Sequence, residues 1–193
     1  MHKIFKTLLR DVEIFFEEYF IVPFSIAIFL TLIVFLILHI HKKRKTIGRL
    51  ITIPLAAFYF SELFYTTLLC RIGTKTDALA NVFGEWSIYD GETSMYINPK
   101  PILNIILFLP ISIAVFCFTK QVFDKTYSDK KILIYTGLFS FSVSLFIELI
   151  QLIFSIGTFQ ISDLVYNTVG GIIGAVIYIG LNKILIHIKK ARK

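Results

Sequence analysis

The chain has 193 residues, of which 56% are hydrophobic and only 17% charged, with a mean hydropathy of +0.76. Soluble domains carry about 25% charged and 45–50% apolar residues, so the composition excludes an ordinary soluble domain and points to an integral membrane protein. The net charge of +7 does not imply a nucleic-acid partner, because the lysines and arginines stand in short runs beside apolar stretches, the pattern of loops next to an anionic bilayer face.

In residues 1–18, Phe5, Leu8, Leu9, Val12, Phe15 and Phe16 recur at three- and four-residue spacing with charges between them. That stripe predicts an amphipathic helix lying in the interface; the alternative is an extension of the first membrane helix. Asp11, Glu13, Glu17 and Glu18 precede the first long apolar run and no small-residue cleavage site follows it, which argues against a secretory signal peptide. Five segments then reach the roughly 20 apolar residues that a helix needs to cross a bilayer: 19–41, 50–70, 101–121, 132–156 and 163–187. Pro54 and Pro110 predict a kink in the second and third. The reading is an all-α, polytopic membrane protein with about five transmembrane helices plus the amphipathic lead.

Lysine and arginine set the expected orientation. Fourteen fall after the first and third spans and in the tail, from Lys42 and Lys120 to Lys193; six fall on the other side, among them Arg71, Lys75 and Lys100. The positive-inside rule places the C-terminus in the cytoplasm and the N-terminus outside. The loop 71–100 and the turn 157–162 are then both external. That loop is long for a connector, and Trp86, Tyr89 and Tyr96 suit a headgroup region. Cys70 and Cys117 belong to no metal-binding spacing and fall near opposite ends of the spans, too far apart for a disulfide. No cofactor or metal motif is present.

The stretch FIELIQLIFSIGTFQISDLVYNTVGGIIG, Phe146 to Gly174, places Glu148, Gln151, Asp163 and Asn167 in the outer half of the membrane. Glu148 stands nine residues before Gly157, roughly 13 Å down at about 1.5 Å per residue. Intramembrane acids are costly and are functional candidates by default. Asp163 reads equally as a helix cap, with Ser162 beside it. Arg71 and Asn104 can reach the same depth, giving a candidate cluster of Arg71, Asn104, Glu148, Gln151, Asp163 and Asn167. Glu62 in the second span is a further acid at that depth. Asn167, Gly170, Gly171 and Gly174 share one face, and the Gly170–Gly174 pair marks close helix packing, with the fourth span as the expected neighbour.

These residues resemble the VanZ-like family of small bacterial membrane proteins. The resemblance rests on Glu148–x–x–Gln151, the turn from Phe159 to Asp163, Asn167–Thr168–x–Gly170–Gly171, YTTLLCR (Tyr65 to Arg71) and ILNIILFLP (Ile102 to Pro110), over about residues 60–180. The chain departs from the family's pattern at Gln160 and Ser162, where acids are common, at Thr158, where an arginine often precedes the turn, and at Ile111 or Ser112, where a glycine follows the proline. With Asp163 alone, an acidic pair for a cation is missing.

The resemblance implies a bacterial cell-membrane protein at the envelope, in a family named for a member associated with teicoplanin resistance. Together with the spans read from the apolar runs, the chain divides into the amphipathic helix 1–18, a first span and basic loop 19–49, a VanZ-like four-helix membrane domain 50–188 with the outer loop 71–100, and a basic tail 189–193. The favoured expectation is a non-enzymatic protein whose outward polar site binds a membrane lipid, a lipid-linked cell-wall precursor or a lipoglycopeptide. The alternative is an intramembrane enzyme with Glu148 and Asp163 as an acid/base pair, which no nucleophile or phosphate-loop motif supports. The absence of an internal inverted repeat disfavours a carrier.

Overall fold

The computed structural model describes residues 21–41, 46–84, 86 and 99–191, the Lys189 side chain excepted. The amphipathic lead expected at 1–18, Tyr89 and Tyr96 of the outer loop and the last two residues lie outside these. Every regular element among the described residues is helical: α1 (Val22–Ile40), α2 (Ile47–Thr67), a 3-10 turn (Leu69–Arg71), α3 (Lys100–Phe108), α4 (Ile111–Phe123), α5 (Asp129–Phe154) and α6 (Ile161–Ala191). Five stretches are long and apolar enough to cross a membrane, α3 and α4 together forming one of them. Large apolar side chains such as Phe29, Leu55, Leu138, Ile153 and Val176 are exposed. Such a surface is costly in water and matches hydrocarbon.

The third span is not the single kinked helix expected at 101–121. Pro110 has no N–H to return to the preceding turn, so α3 closes with the Leu109 N–H on the carbonyls of Ile105 and Ile106. The chain restarts with Pro110 at the cap of α4, whose carbonyl accepts from Ala114 at 2.9 Å. Pro54, by contrast, lies inside a continuous α2.

The chain forms two compact units, divided between Cys70 and Arg71. In the first, α1 packs on α2, with Phe24 meeting Phe58 edge-on at 6.4 Å. The Thr46 side chain caps α2 by accepting from the Arg49 N–H.

In the second unit, α6 is the central element and touches α3, α4 and α5. Its 31 residues span about 46 Å at ~1.5 Å each, well beyond a hydrocarbon core of about 30 Å. Glycines explain why α3 and α5 can approach it closely. A Cβ on Gly170 would run into the Ile105 carbonyl, one on Gly174 into the Leu109 carbonyl, and one on Gly171 into Ser140. The Gly170–Gly174 pair therefore seats on α3, not on the fourth span; it is Asn167 and Gly171 that face α5. Toward the far end of the unit, Phe116, Ile132, Ala175 and Tyr178 form an apolar core. The free thiols of Cys70 and Cys117 play no part in cross-linking the chain.

Candidate functional site

The site forms where α5 ends and α6 begins. Ser155 takes a left-handed conformation, φ 53°, and ends α5, while the Ile156 N–H returns to the Gln151 carbonyl at 3.1 Å. Five residues later α6 starts at Ile161. The first part of the outer loop lies along this turn and is tied to it by backbone. The Thr76 N–H donates to the Ser155 carbonyl at 3.0 Å, Phe159 to Ala78 at 2.9 Å and Ile161 to Val82 at 2.9 Å. Gly84, at φ +79°, fits where a Cβ would strike Ser162. The turn is thus double-layered, and the polar residues sit beneath and beside it.

Glu148 is 3% exposed. Its Oε2 accepts the backbone N–H of Gln160 at 2.9 Å. Gln160 immediately precedes α6, so a carboxylate from α5 satisfies a free N–H at the start of its neighbour. A negative group there also meets the positive end of the helix dipole. Asp163 lies in the first turn of α6, inside the helix and not at its cap. It approaches Ser162 Oγ at 3.4 Å and takes a hydrogen bond from Asn104 of α3. Arg71, exposed at the head of the outer loop, is within electrostatic reach of both Glu148 and Asp163, and Lys100 of Asp163. Gln151 is buried; its Oε1 and Arg71 Nη1 crowd Gly157, at 2.6 and 3.0 Å from where a Cβ would stand.

Asn167 lies one turn further along α6. Its Nδ2 donates to Ser144 Oγ of α5 at 2.8 Å, while its buried Oδ1 finds no partner among the described residues. The structure therefore brings Arg71, Asn104, Glu148, Gln151, Asp163 and Asn167 to one end of one unit. Glu62 belongs to the other unit. Among the described residues no three His, Cys, Asp or Glu side chains gather as a metal site would require.

Sequence reasoning missed several members. Thr136, Ser140, Ser144 and Glu148 repeat every fourth residue on α5 and all are buried, so the carboxylate heads a polar column facing α6. Ser112 Oγ of α4 donates to the Gly171 carbonyl at 2.9 Å and lies 3.3 Å from Thr136 Oγ1, closing the column from a third helix. Ser140 Oγ, like Asn167 Oδ1, is buried without a partner among the described residues. The fourfold spacing was the available signal. Lys100 and Gln160 were also overlooked as participants. Beside the cluster, the Tyr166 hydroxyl donates to the Trp86 carbonyl at 3.0 Å, and the two rings stand 6.0 Å apart.

Chemically, the arrangement offers an exposed cation and a second basic residue beside two acids, at the level where helices give way to loop. One carboxylate oxygen of Glu148 is committed to holding Gln160. Such a set can pair with an anionic group while buried amides and hydroxyls orient donors and acceptors.

No curated protein and no solved structure matches the chain. A sequence model of the VanZ/LLP1 family matches residues 85–186, which takes in Asn104, Glu148, Gln151, Asp163, Asn167 and the three packing glycines, while Arg71 precedes it. With more than half of its length matched and five membrane-length helices, this chain belongs to the VanZ/LLP1 family of membrane proteins.

Proposed function

We propose that the protein is a non-enzymatic component of the bacterial cell envelope whose outward-facing polar cluster binds an amphiphilic ligand. The class is a lipid-linked cell-wall precursor or a lipoglycopeptide, and the physiological consequence is a contribution to teicoplanin-type resistance. The observation that carries this reading is the convergence of Arg71, Asn104, Glu148 and Asp163 beneath the doubled turn. A ligand with a phosphate or carboxylate at its polar end and an acyl or prenyl chain would meet Arg71 at the interface. Its chain would remain in lipid, and Trp86 and Tyr166 would offer apolar contact to sugar or acyl groups. Orientation with the C-terminus in the cytoplasm, expected from the charge distribution, puts this end outside.

The acid/base alternative draws on the electrostatic contact between Glu148 and Asp163. It is disfavoured because no nucleophile or phosphate-loop motif accompanies the two carboxyl groups.

Trp86 is the chain's sole tryptophan and stands against Tyr166 in the first turns of α6. With the full chain in nanodiscs, titration of a polyprenyl-pyrophosphate-linked muramyl peptide should give a saturable change in tryptophan fluorescence. Arg71→Ala should weaken the apparent affinity about 10–100-fold, the size of a charge-assisted hydrogen bond. A flat titration, or a curve indifferent to Arg71→Ala, would contradict the proposal.

A further inference from the structure

At the opposite end of the same unit, α4, the α4–α5 connection, α5 and α6 line a cleft of about 270 Å³. We infer that this pocket is a binding site for the headgroup of an anionic phospholipid, drawn from the leaflet at that end of the helices. The inference does not depend on the ligand reading of the Glu148 cluster.

Its construction supports a phosphodiester. The floor is apolar and fixed: Phe116 stacks on Tyr178 at 5.7 Å and meets Tyr127 edge-on at 5.6 Å, over the buried Ile132. Polar groups rise from that floor. Tyr178 shares a hydrogen bond with Asn182 one turn along α6, which presents an amide beside a phenol. The rim is basic. Lys120 and Lys125 line the opening and have no carboxylate partner among the described residues. Lys183 is held by Asp129 at 2.7 Å, so the acid in the lining is neutralised within the pocket. Two lysine charges remain for an incoming anion.

Size and place decide the source of that anion. A volume of about 270 Å³ falls just under the 300–1,000 Å³ of small-molecule clefts, so it admits a headgroup but not a whole lipid. The pocket lies where membrane helices end, and the side chains of Ile179 and Ile186 carry its lining onto the apolar flank of α6. A phospholipid could lodge its phosphate at the lysines while its acyl chains stay outside. Basic pockets between membrane helices hold anionic headgroups in this manner.

The test is native mass spectrometry of the full chain, released from nanodiscs of phosphatidylcholine containing phosphatidylglycerol or cardiolipin. Wild type should retain an anionic lipid. Lys120→Ala/Lys125→Ala should lose it by about 25-fold, roughly fivefold per lysine. Lys130→Ala/Lys131→Ala, which removes two exposed charges nearby that do not line the pocket, should leave it bound. Lys125→Gln, which keeps most of the side chain's length, should show about half the logarithmic loss; a monodisperse elution profile confirms that each variant is folded. Equal losses in the two double variants would overturn the site in favour of diffuse attraction, and retention in all of them would overturn it outright. A third arm adds inorganic phosphate in millimolar amounts to neutral nanodiscs. Stabilisation by phosphate alone, with no selective lipid retention, would show a soluble anion as the occupant and contradict the lipid assignment.

Discussion

Replacing Gly174 by alanine should strongly destabilise the protein, and leucine there should prevent it from folding. Two opposing effects can be weighed. Alanine is the better helix former by about 0.8–1.0 kcal/mol. Against that, the new Cβ would occupy the space of the Leu109 carbonyl oxygen and stand 2.9 Å from its carbon. Overpacking costs typically about 1–3 kcal/mol when side chains can yield. Here the obstacle is backbone at the α3–α4 break, which Pro110 already fixes, so the clash outweighs the propensity gain. Gly170→Ala meets the Ile105 backbone in the same way. Gly171→Ala differs, because its obstacle is the Ser140 side chain; Ser140→Gly should restore much of the lost stability at Gly171→Ala and none at Gly174→Ala. Thermal loss of the monodisperse species in detergent would measure this, with roughly 2–4 °C per kcal/mol for a chain of this length. Rescue of both glycines alike, or of neither, would count against the packing described.

The second large effect concerns Glu148. Glu148→Leu leaves the Gln160 N–H buried without its acceptor, which costs about 1–3 kcal/mol, and the start of α6 should loosen with the turn that covers it. Glu148→Gln keeps an oxygen for that N–H while removing the charge that Arg71 meets. The two variants should therefore separate: leucine lowers stability and function together, whereas glutamine keeps near-wild-type stability and loses function. Thermal stability, with hydrogen exchange across residues 155–165, distinguishes them. If glutamine and leucine behave alike in both measures, the carboxylate's hydrogen bond is not what holds the turn.

The spans were legible in the sequence because an unbroken apolar run of about 20 residues matches the thickness of hydrocarbon and exceeds what the helices of soluble cores usually present. Their ends lie within a few positions of those expected. The third was legible as a span but not as two helices: Pro110 announced a disturbance, yet whether a proline kinks a helix or divides it depends on what fills the gap. Here Gly174 of α6 lies against the Leu109 carbonyl. The glycine face was legible too, since spacing by four fixes which residues lie together. Its partner was not. A short loop argues that α5 and α6 are neighbours, but it does not say which side of α6 turns toward α5, and the Gly170–Gly174 pair went to α3.

In the site, Glu148 stood out because a lone acid in hydrocarbon is conspicuous. The hydroxyls of Thr136, Ser140 and Ser144 passed unnoticed because such residues are ordinary in membrane helices, where they bond to the preceding turn, as Thr168 does to the Leu164 carbonyl. Gln160 drew notice as a departure from an acidic pattern, whereas its contribution comes from its backbone N–H, which every residue except proline possesses. Side-chain identity carries no information about that bond.

The most direct test of the central claim is antibiotic susceptibility. A teicoplanin-sensitive Gram-positive host would express wild type, Arg71→Ala, Glu148→Gln and Asp163→Asn at matched membrane levels, with teicoplanin and vancomycin compared side by side. The expected result is that wild type raises tolerance to teicoplanin selectively and that all three variants return the host to its own level while remaining folded in the membrane. No gain from wild type would contradict the envelope role, and full tolerance in the variants would show that the polar groups between α5 and α6 only pack helices.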